Sequence, residues 1–360
     1  MLKRNLIAAL SVIFLMNAFS YSQDGNKWIK KYADPKDGDN YASAIYSFMS
    51  YGMRDSAMSR ASECIKNEPR NAACYYLRAI IYEAQEKHVA VIADLLRVTE
   101  IDEEAQNDAG IYKMRGKSYY YLSQHKEAVA DLDRAIRLNP NASETFEFRG
   151  RARYAQSEFD QALGDFDRAI ALDAKNYDAH FYQGLIRMKK NQTDPALASF
   201  AKVIEITPEF YGAYYNRALL FAEKNDARAA AKELLSATQN ARSDAYSDLA
   251  GFADQIIAFD PKISDAWQVK GYLNYLNRKY DLAVADYTKA IAVSPNEPII
   301  YYRRGYNYYQ NKNYSPAIAD LTKAVALDPQ YRNAYNTRGD VYYDTQNTIR
   351  QSPITRRRSS

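Results

Sequence analysis

Few side chains in this 360-residue chain could do covalent, metal or proton-transfer chemistry. There are three histidines, His88, His125 and His180, and two cysteines, Cys64 and Cys74. A structural zinc site gathers clustered Cys and His ligands, which this set cannot supply. The histidines are far apart, and no convergent carboxylate or cysteine accompanies them to form a nucleophile–base pair or a relay. A Gly-rich phosphate loop, a nucleophile elbow and a metalloprotease helix motif are all missing. The sequence therefore predicts no catalytic residue, no metal and no cofactor. Recognition chemistry, in contrast, is abundant: tyrosine occurs 33 times. Each ring offers a large contact area at low entropic cost, with a hydroxyl for orientation.

Charge narrows the partner class. The formal net charge is +4, but Lys3 and Arg4 lie in an amino-terminal leader, and Arg350, Arg356, Arg357 and Arg358 lie in the carboxyl tail. The body between residues 23 and 345 holds two fewer basic than acidic residues. A nucleic-acid groove needs clustered positive charge to displace counterions, so no nucleic-acid partner is expected.

The elements that must position these side chains are helices. Hydrophobic residues make up 47% and charged residues 26% of the chain, as in folded soluble proteins. Only 13 glycines and 11 prolines interrupt it, which disfavours a turn-rich β architecture. Laid against itself, the chain repeats with a period of 34 residues. Tyr301, Gly305, Tyr308, Ala317, Leu321, Ala324 and Pro329 recur as Tyr112, Gly116, Tyr119, Ala128, Leu132, Ala135 and Pro140. A third copy runs Trp267, Gly271, Ala283, Tyr287, Ala290 and Pro295. Small residues at positions 8, 20 and 27 let two antiparallel helices approach, and large ones at 4, 11 and 24 fill the space beside them. The proline stops the second helix.

This pattern resembles the tetratricopeptide repeat. Starts fall at residues 38, 72, 109, 143, 177, 211, 264 and 298, with a lone first helix from 332. The resemblance implies an all-α fold, an α-solenoid of helix-turn-helix repeats wound as a right-handed superhelix. The expected organisation is a signal peptide (1–22), an N-terminal linker (23–37), repeats 1–6 (38–240) and an extra helix (241–263). Repeats 7–8 with a capping helix (264–346) and a disordered basic tail (347–360) complete it. The leader has a basic start, an apolar run from Leu6 to Phe19 and small exit residues Ser20 and Ser22, the layout of a secretory signal. Cleavage near Ser20 or Ser22 implies a periplasmic or secreted protein with no integral membrane segment; an uncleaved signal anchor is the alternative.

Position 7 of the first helix is basic where position 23 of the second is acidic. The copies are Arg78/Asp94, Arg115/Asp131, Arg149/Asp165, Arg217/Glu233, Lys270/Asp286 and Arg304/Asp320. The two repeats lacking the base also lack the acid, with Gln183/Ser199 and Ala44/Arg60. This co-variation among copies predicts structural inter-helix ion pairs. Cys64 at position 27 and Cys74 at position 3 of the next repeat share one seam, as a disulfide or as two buried thiols.

In the tetratricopeptide family, positions 2, 5, 9 and 12 of the first helix build the concave surface. Here they give a mixed middle (Lys113, Lys117, Tyr120, Glu147, Arg151, Tyr154) and then Tyr272, Tyr275, Tyr302, Tyr306, Tyr309 and Tyr343. These six tyrosines are the ligand-binding candidates, although the family also uses tyrosine at positions 5 and 12 for packing. The family's chaperone-tail clamp wants asparagine at position 9, which no copy carries. The resemblance implies a non-enzymatic exported scaffold that takes a protein or peptide in its concave groove, in assembly or maintenance of an envelope complex. The alternative is a glycan- or peptidoglycan-binding module using the same tyrosines.

Overall fold

The computed structural model describes residues 41–346 in full and the last helix backbone to 351. The leader, the linker up to residue 40 and the tail from 352 lie outside the described residues. Within them the fold is all helix. The first four pairs are α1 Tyr41–Ser50 with α2 Arg54–Asn67, α3 Ala72–Glu83 with α4 His88–Ile101, α5 Ala109–Tyr121 with α6 His125–Leu138, and α7 Ser143–Ala155 with α8 Phe159–Leu172. There follow α9 Tyr177–Lys189, α10 Thr193–Ile206, α11 Tyr211–Glu223, α12 Ala227–Asn240 and α13 Tyr246–Phe259. The series closes with α14 Ser264–Leu276, α15 Tyr280–Val293, α16 Pro298–Gln310, α17 Tyr314–Leu327 and α18 Arg332–Gln351. They fall into two compact units divided between Ile186 and Arg187.

Within each unit a first helix packs on its own second helix, and that second helix packs on the next first helix. The glycines of position 8 make this approach close: a Cβ on Gly116 would stand 2.7 Å from Leu132 Cγ, and one on Gly150 2.7 Å from Phe166 Cε1. Every turn between paired helices that is described in this way uses a left-handed residue at position 15. Only Gly52 is a glycine there; the rest are Glu86, Ser123, Ser157, Asn191, Asn225, Arg278 and Lys312, with φ between 56° and 64°. Second helices end as the chain turns extended at a cap whose N–H returns to position 27, as Asn139 does to Ala135 and Asp328 to Ala324. One helix pair cannot bury its apolar face alone, so stacked neighbours make the core continuous along each unit.

The extra helix has a finer identity than the sequence reading assigned. A short 3-10 turn at Ser243–Ala245 leads into α13, which buries Leu249, Phe252, Ala253 and Ile256. Leu249, Ala253 and Ile256 precede Pro261 at the spacings with which Ala128, Leu132 and Ala135 precede Pro140. α13 is thus a second helix lacking a first helix of its own. It packs with α12 against α14, in one cluster that includes Leu234, Val269 and Leu273.

Candidate functional site

The position-7 bases form ion pairs in both units. Arg115 Nε and Nη2 donate to Asp131 at 2.6 and 2.7 Å, and Arg304 Nε and Nη2 to Asp320 at 2.7 Å. Arg149 reaches Asp165 at 3.1 Å, Arg78 reaches Asp94 at 2.7 Å, and Arg217 meets Glu233 at 3.0 Å. Arg149 also reaches back one helix, from Nη1 to Asp133 at 2.6 Å. Lys270 departs from the pattern. Its single ammonium bonds Asp254 on α13 at 2.7 Å, while the expected partner, Asp286, accepts a hydrogen bond from Asn274 at 2.8 Å. A lysine makes one contact where an arginine fork spans two, and burial pushes the Asp286 carboxyl above its ordinary range.

Cys64 and Cys74 are bonded as a disulfide, with a Cα separation of 6.3 Å, and both are fully buried between α2 and α3. The histidines serve packing: His88 stacks on Tyr121 with ring centroids 4.7 Å apart, and His125 leans on Tyr120 at 5.8 Å. Among the described residues no group of His, Cys, Asp and Glu could hold a metal ion, and no helix is long and apolar enough to cross a membrane.

The first-helix faces of the two units differ in chemistry. In the amino-terminal unit basic and acidic side chains of neighbouring first helices pair with one another. Glu144 on α7 accepts Lys113 Nζ at 2.9 Å and Lys117 Nζ at 2.7 Å from α5. Burial alone would raise the Glu144 carboxyl, but the two ammoniums hold it down to about 2. Lys117 also faces Glu83 at 3.5 Å and lies 5.0 Å over the Phe148 ring. Arg151 bonds Glu147 at 2.9 Å and sits within 4.9, 4.8 and 5.3 Å of the Tyr120, Phe148 and Tyr182 rings.

In the carboxyl-terminal unit, α14, α16 and α18 present the tyrosines. Five of the six candidates come together: Tyr272 meets Tyr275 at 5.9 Å, Tyr275 meets Tyr306 at 5.7 Å, and Tyr306 meets Tyr302 at 6.2 Å and Tyr309 at 6.4 Å. Tyr343 stands apart, 69% exposed and without a contact to these rings. Among the described residues no second helix follows α18, and Tyr309 donates to Asp344 on α18 at 2.8 Å. That hydrogen bond pushes the Tyr309 phenol up to about 12, and burial with the neighbouring Tyr306 pushes Tyr275 to about 12. At neutral pH both hydroxyls stay protonated.

The five rings do different jobs. Tyr275 packs on the Ala283–Tyr287–Ala290–Ile300 cluster, while Tyr302 and Tyr309 pack on the one around Leu321 and Val341. Tyr272 and Tyr306, the two at position 9, belong to no such cluster and touch other rings instead. The periodicity reading missed two further members. Tyr331, at the end of its repeat, lies 5.2 Å from Tyr302, and Arg303 at position 6 lies 5.6 Å over Tyr272. Neither position belongs to the repeat signature, so no periodic signal marked them.

Family comparison agrees with this geometry. A tetratricopeptide repeat model matches residues 113–177, 149–209 and 183–247, another matches 264–297, and a TPR repeat model matches 305–346. No curated protein matches the chain. Among solved structures, a tetratricopeptide repeat protein from Parabacteroides merdae is 17% identical with a TM-score of 0.48, covering 79% of this chain and 99% of that one. YrrB, a TPR protein described as having an unusual peptide-binding site, is 23% identical with a TM-score of 0.44, over 54% of this chain and 97% of its own. MamA is 23% identical with a TM-score of 0.41, over 45% and 93%. The model matches together cover more than half of the sequence, and the helix pairs follow its 34-residue period: the chain belongs to the tetratricopeptide repeat family.

Proposed function

We propose that this chain is an exported scaffold that binds a protein or peptide along its first helices, in the assembly or maintenance of an envelope complex. Proteins of this repeat family are generally non-catalytic interaction scaffolds. The observation that carries the reading is the pair Tyr272 and Tyr306, which sit at the groove position of the repeat without belonging to a packing cluster. A glycan would stack on a broad open ring face. These rings lean on one another at 35° to 76°, which favours an extended peptide contacting edges and hydroxyls.

Export rests on the Lys3–Arg4 start, the Leu6–Phe19 apolar run and the small residues Ser20 and Ser22. The Cys64–Cys74 disulfide supports it, since such bonds persist in oxidising compartments. Two measurements test the proposal. The exported protein should begin at Tyr21 or Gln23 by intact mass; a full-length cytoplasmic product would refute export. Crosslinking pull-down from envelope extract should recover a partner that Tyr272→Ala/Tyr306→Ala loses, with circular dichroism showing the variant folded. A partner retained by that variant would assign these rings to packing.

A further inference from the structure

Two carboxylates at position 2 of a first helix, Glu144 on α7 and Asp265 on α14, have different surroundings. At position 2 of α7, Glu144 is neutralised from within the chain by Lys113 and Lys117 on the preceding first helix. Lys117 is held between two carboxylates and an aromatic ring, a favourable seat for an ammonium whose desolvation is offset by cation–π contact.

At position 2 of α14 stands Asp265, and Glu297 immediately precedes α16. Both converge on one amide: Gln268 Nε2 donates to Asp265 Oδ1 at 3.2 Å and to Glu297 Oε2 at 3.5 Å. Gln268 is 1% exposed and is fixed from its other side by Arg303 Nη1, which donates to Gln268 Oε1 at 3.1 Å. Lys232 and Arg303 bear on Asp265 at a distance, but neither closes an ion pair with it. Where α5 places Lys113 and Lys117 at positions 5 and 9, α14 places Gln268 and Tyr272. The carboxylates and the rings are present; among the described residues Arg303 is taken up by Gln268 and the Tyr272 ring, and no ammonium or guanidinium is ion-paired with Asp265 or Glu297.

Resting on the reading of the tyrosine row as a docking surface, we infer that its occupant is an extended segment of a partner protein bearing lysine or arginine. The basic side chains go to Asp265 and Glu297, while the peptide backbone and aliphatic stems cross Tyr272 and Tyr306. The partner thus supplies between chains the contact that Lys117 makes within one.

An immobilised array of random ten-residue peptides, probed with the full chain, tests this. The retained peptides should be enriched in Lys and Arg. The best of them, measured by fluorescence anisotropy, should weaken about tenfold or more in Asp265→Asn/Glu297→Gln. Those isosteric changes keep oxygen acceptors for Gln268, so the fold is preserved. Raising the salt concentration should weaken binding to the native chain far more than binding to the variant. Neutral or acidic peptides retained equally well, or basic peptides indifferent to Asp265→Asn/Glu297→Gln but lost in Tyr306→Ala, would overturn the basic occupant while leaving a peptide groove standing. An array with no retained peptide would overturn both.

Discussion

At the scale of the residue, Gly150 and Gly164 belong to one helix pair and should respond oppositely to the same change. A Cβ on Gly150 would lie 2.7, 2.9 and 3.0 Å from Cε1, Cζ and Cδ1 of Phe166, a ring with no exposure and no room to withdraw. Gly150→Ala should therefore destabilise by about 1–3 kcal/mol through overpacking. A Cβ on Gly164 would have nothing within 4 Å, and the residue sits exposed inside α8. Gly164→Ala should stabilise by about 0.5–1 kcal/mol. Denaturant melts of both variants check the pair, and equal shifts would refute the close-approach account. Arg304 and Asp320 supply a second residue-level test. Their side chains are 17% and 9% exposed, so removing either leaves a half-buried charge without its partner, at a cost of about 3 kcal/mol. Adding Asp320→Ala to Arg304→Ala should cost little more; additive losses would count against the coupling. Both features were legible beforehand, because a small residue at position 8 and a matched base and acid recur copy after copy. The left-handed residue of position 15 was not. Seven different turns place Glu, Ser, Asn, Arg or Lys there, and the tertiary packing of the helix pair imposes a conformation that their types do not announce.

At the scale of the element, α13 shows how a helix can be foreseen while its role is not. Its apolar spacing and Pro261 marked a helix; its role as a second helix shows in its packing beside α12 against α14 and in Lys270 reaching back to Asp254. Arg149 reaches back to Asp133 in the same way, over the same 16 residues. The reading also paired Lys270 with Asp286, since position and charge matched. The length and single head of lysine decided otherwise, leaving Asp286 buried with an amide donor and no ion pair. Lys270→Arg should let one guanidinium span Asp254 and Asp286, stabilising by about 1 kcal/mol, and Asp286→Asn should abolish that gain. The pH dependence has a definite sign. Because burial raises the folded-state pKa of Asp286 above its unfolded value, its contribution is favourable below the unfolded pKa and is lost as pH rises through the folded one. Asp286→Asn should thus raise the melting temperature relative to the native chain at pH 7, and the advantage should shrink as pH falls through the carboxylate range. An advantage that stays constant with pH would mean that Asp286 is not strained by its charge.

At the scale of the whole molecule, stability is local, because each helix pair within a unit touches little beyond its neighbours. The amino-terminal pair lacks the matched base and acid of positions 7 and 23. Position 7 is Ala44 and position 23 is Arg60, which pairs along its own helix with Glu63 and lies over Tyr41. The disulfide from Cys64 to Cys74 ties this pair to α3 at the seam where the others rely on packing and ion pairs. The sequence placed both cysteines in that seam but left bond and thiols open, since register locates a residue without orienting its Cβ. A cross-link closing so short a loop contributes about 2–3 kcal/mol, chiefly by restricting the unfolded chain. Reduction should therefore loosen α1 and α2 selectively. Hydrogen exchange followed with and without a reductant should speed up across residues 41–67 and the start of α3, while α14 to α17 keep their protection, because nothing in a nearest-neighbour array carries the loss that far. Exchange rising evenly along the chain would mean that the repeats unfold as one cooperative block, and the nearest-neighbour account would then be wrong. Exchange rising nowhere would mean that the apolar seam, with Ile45, Ala61 and Leu77 buried around the sulfurs, holds the first pair without the bond.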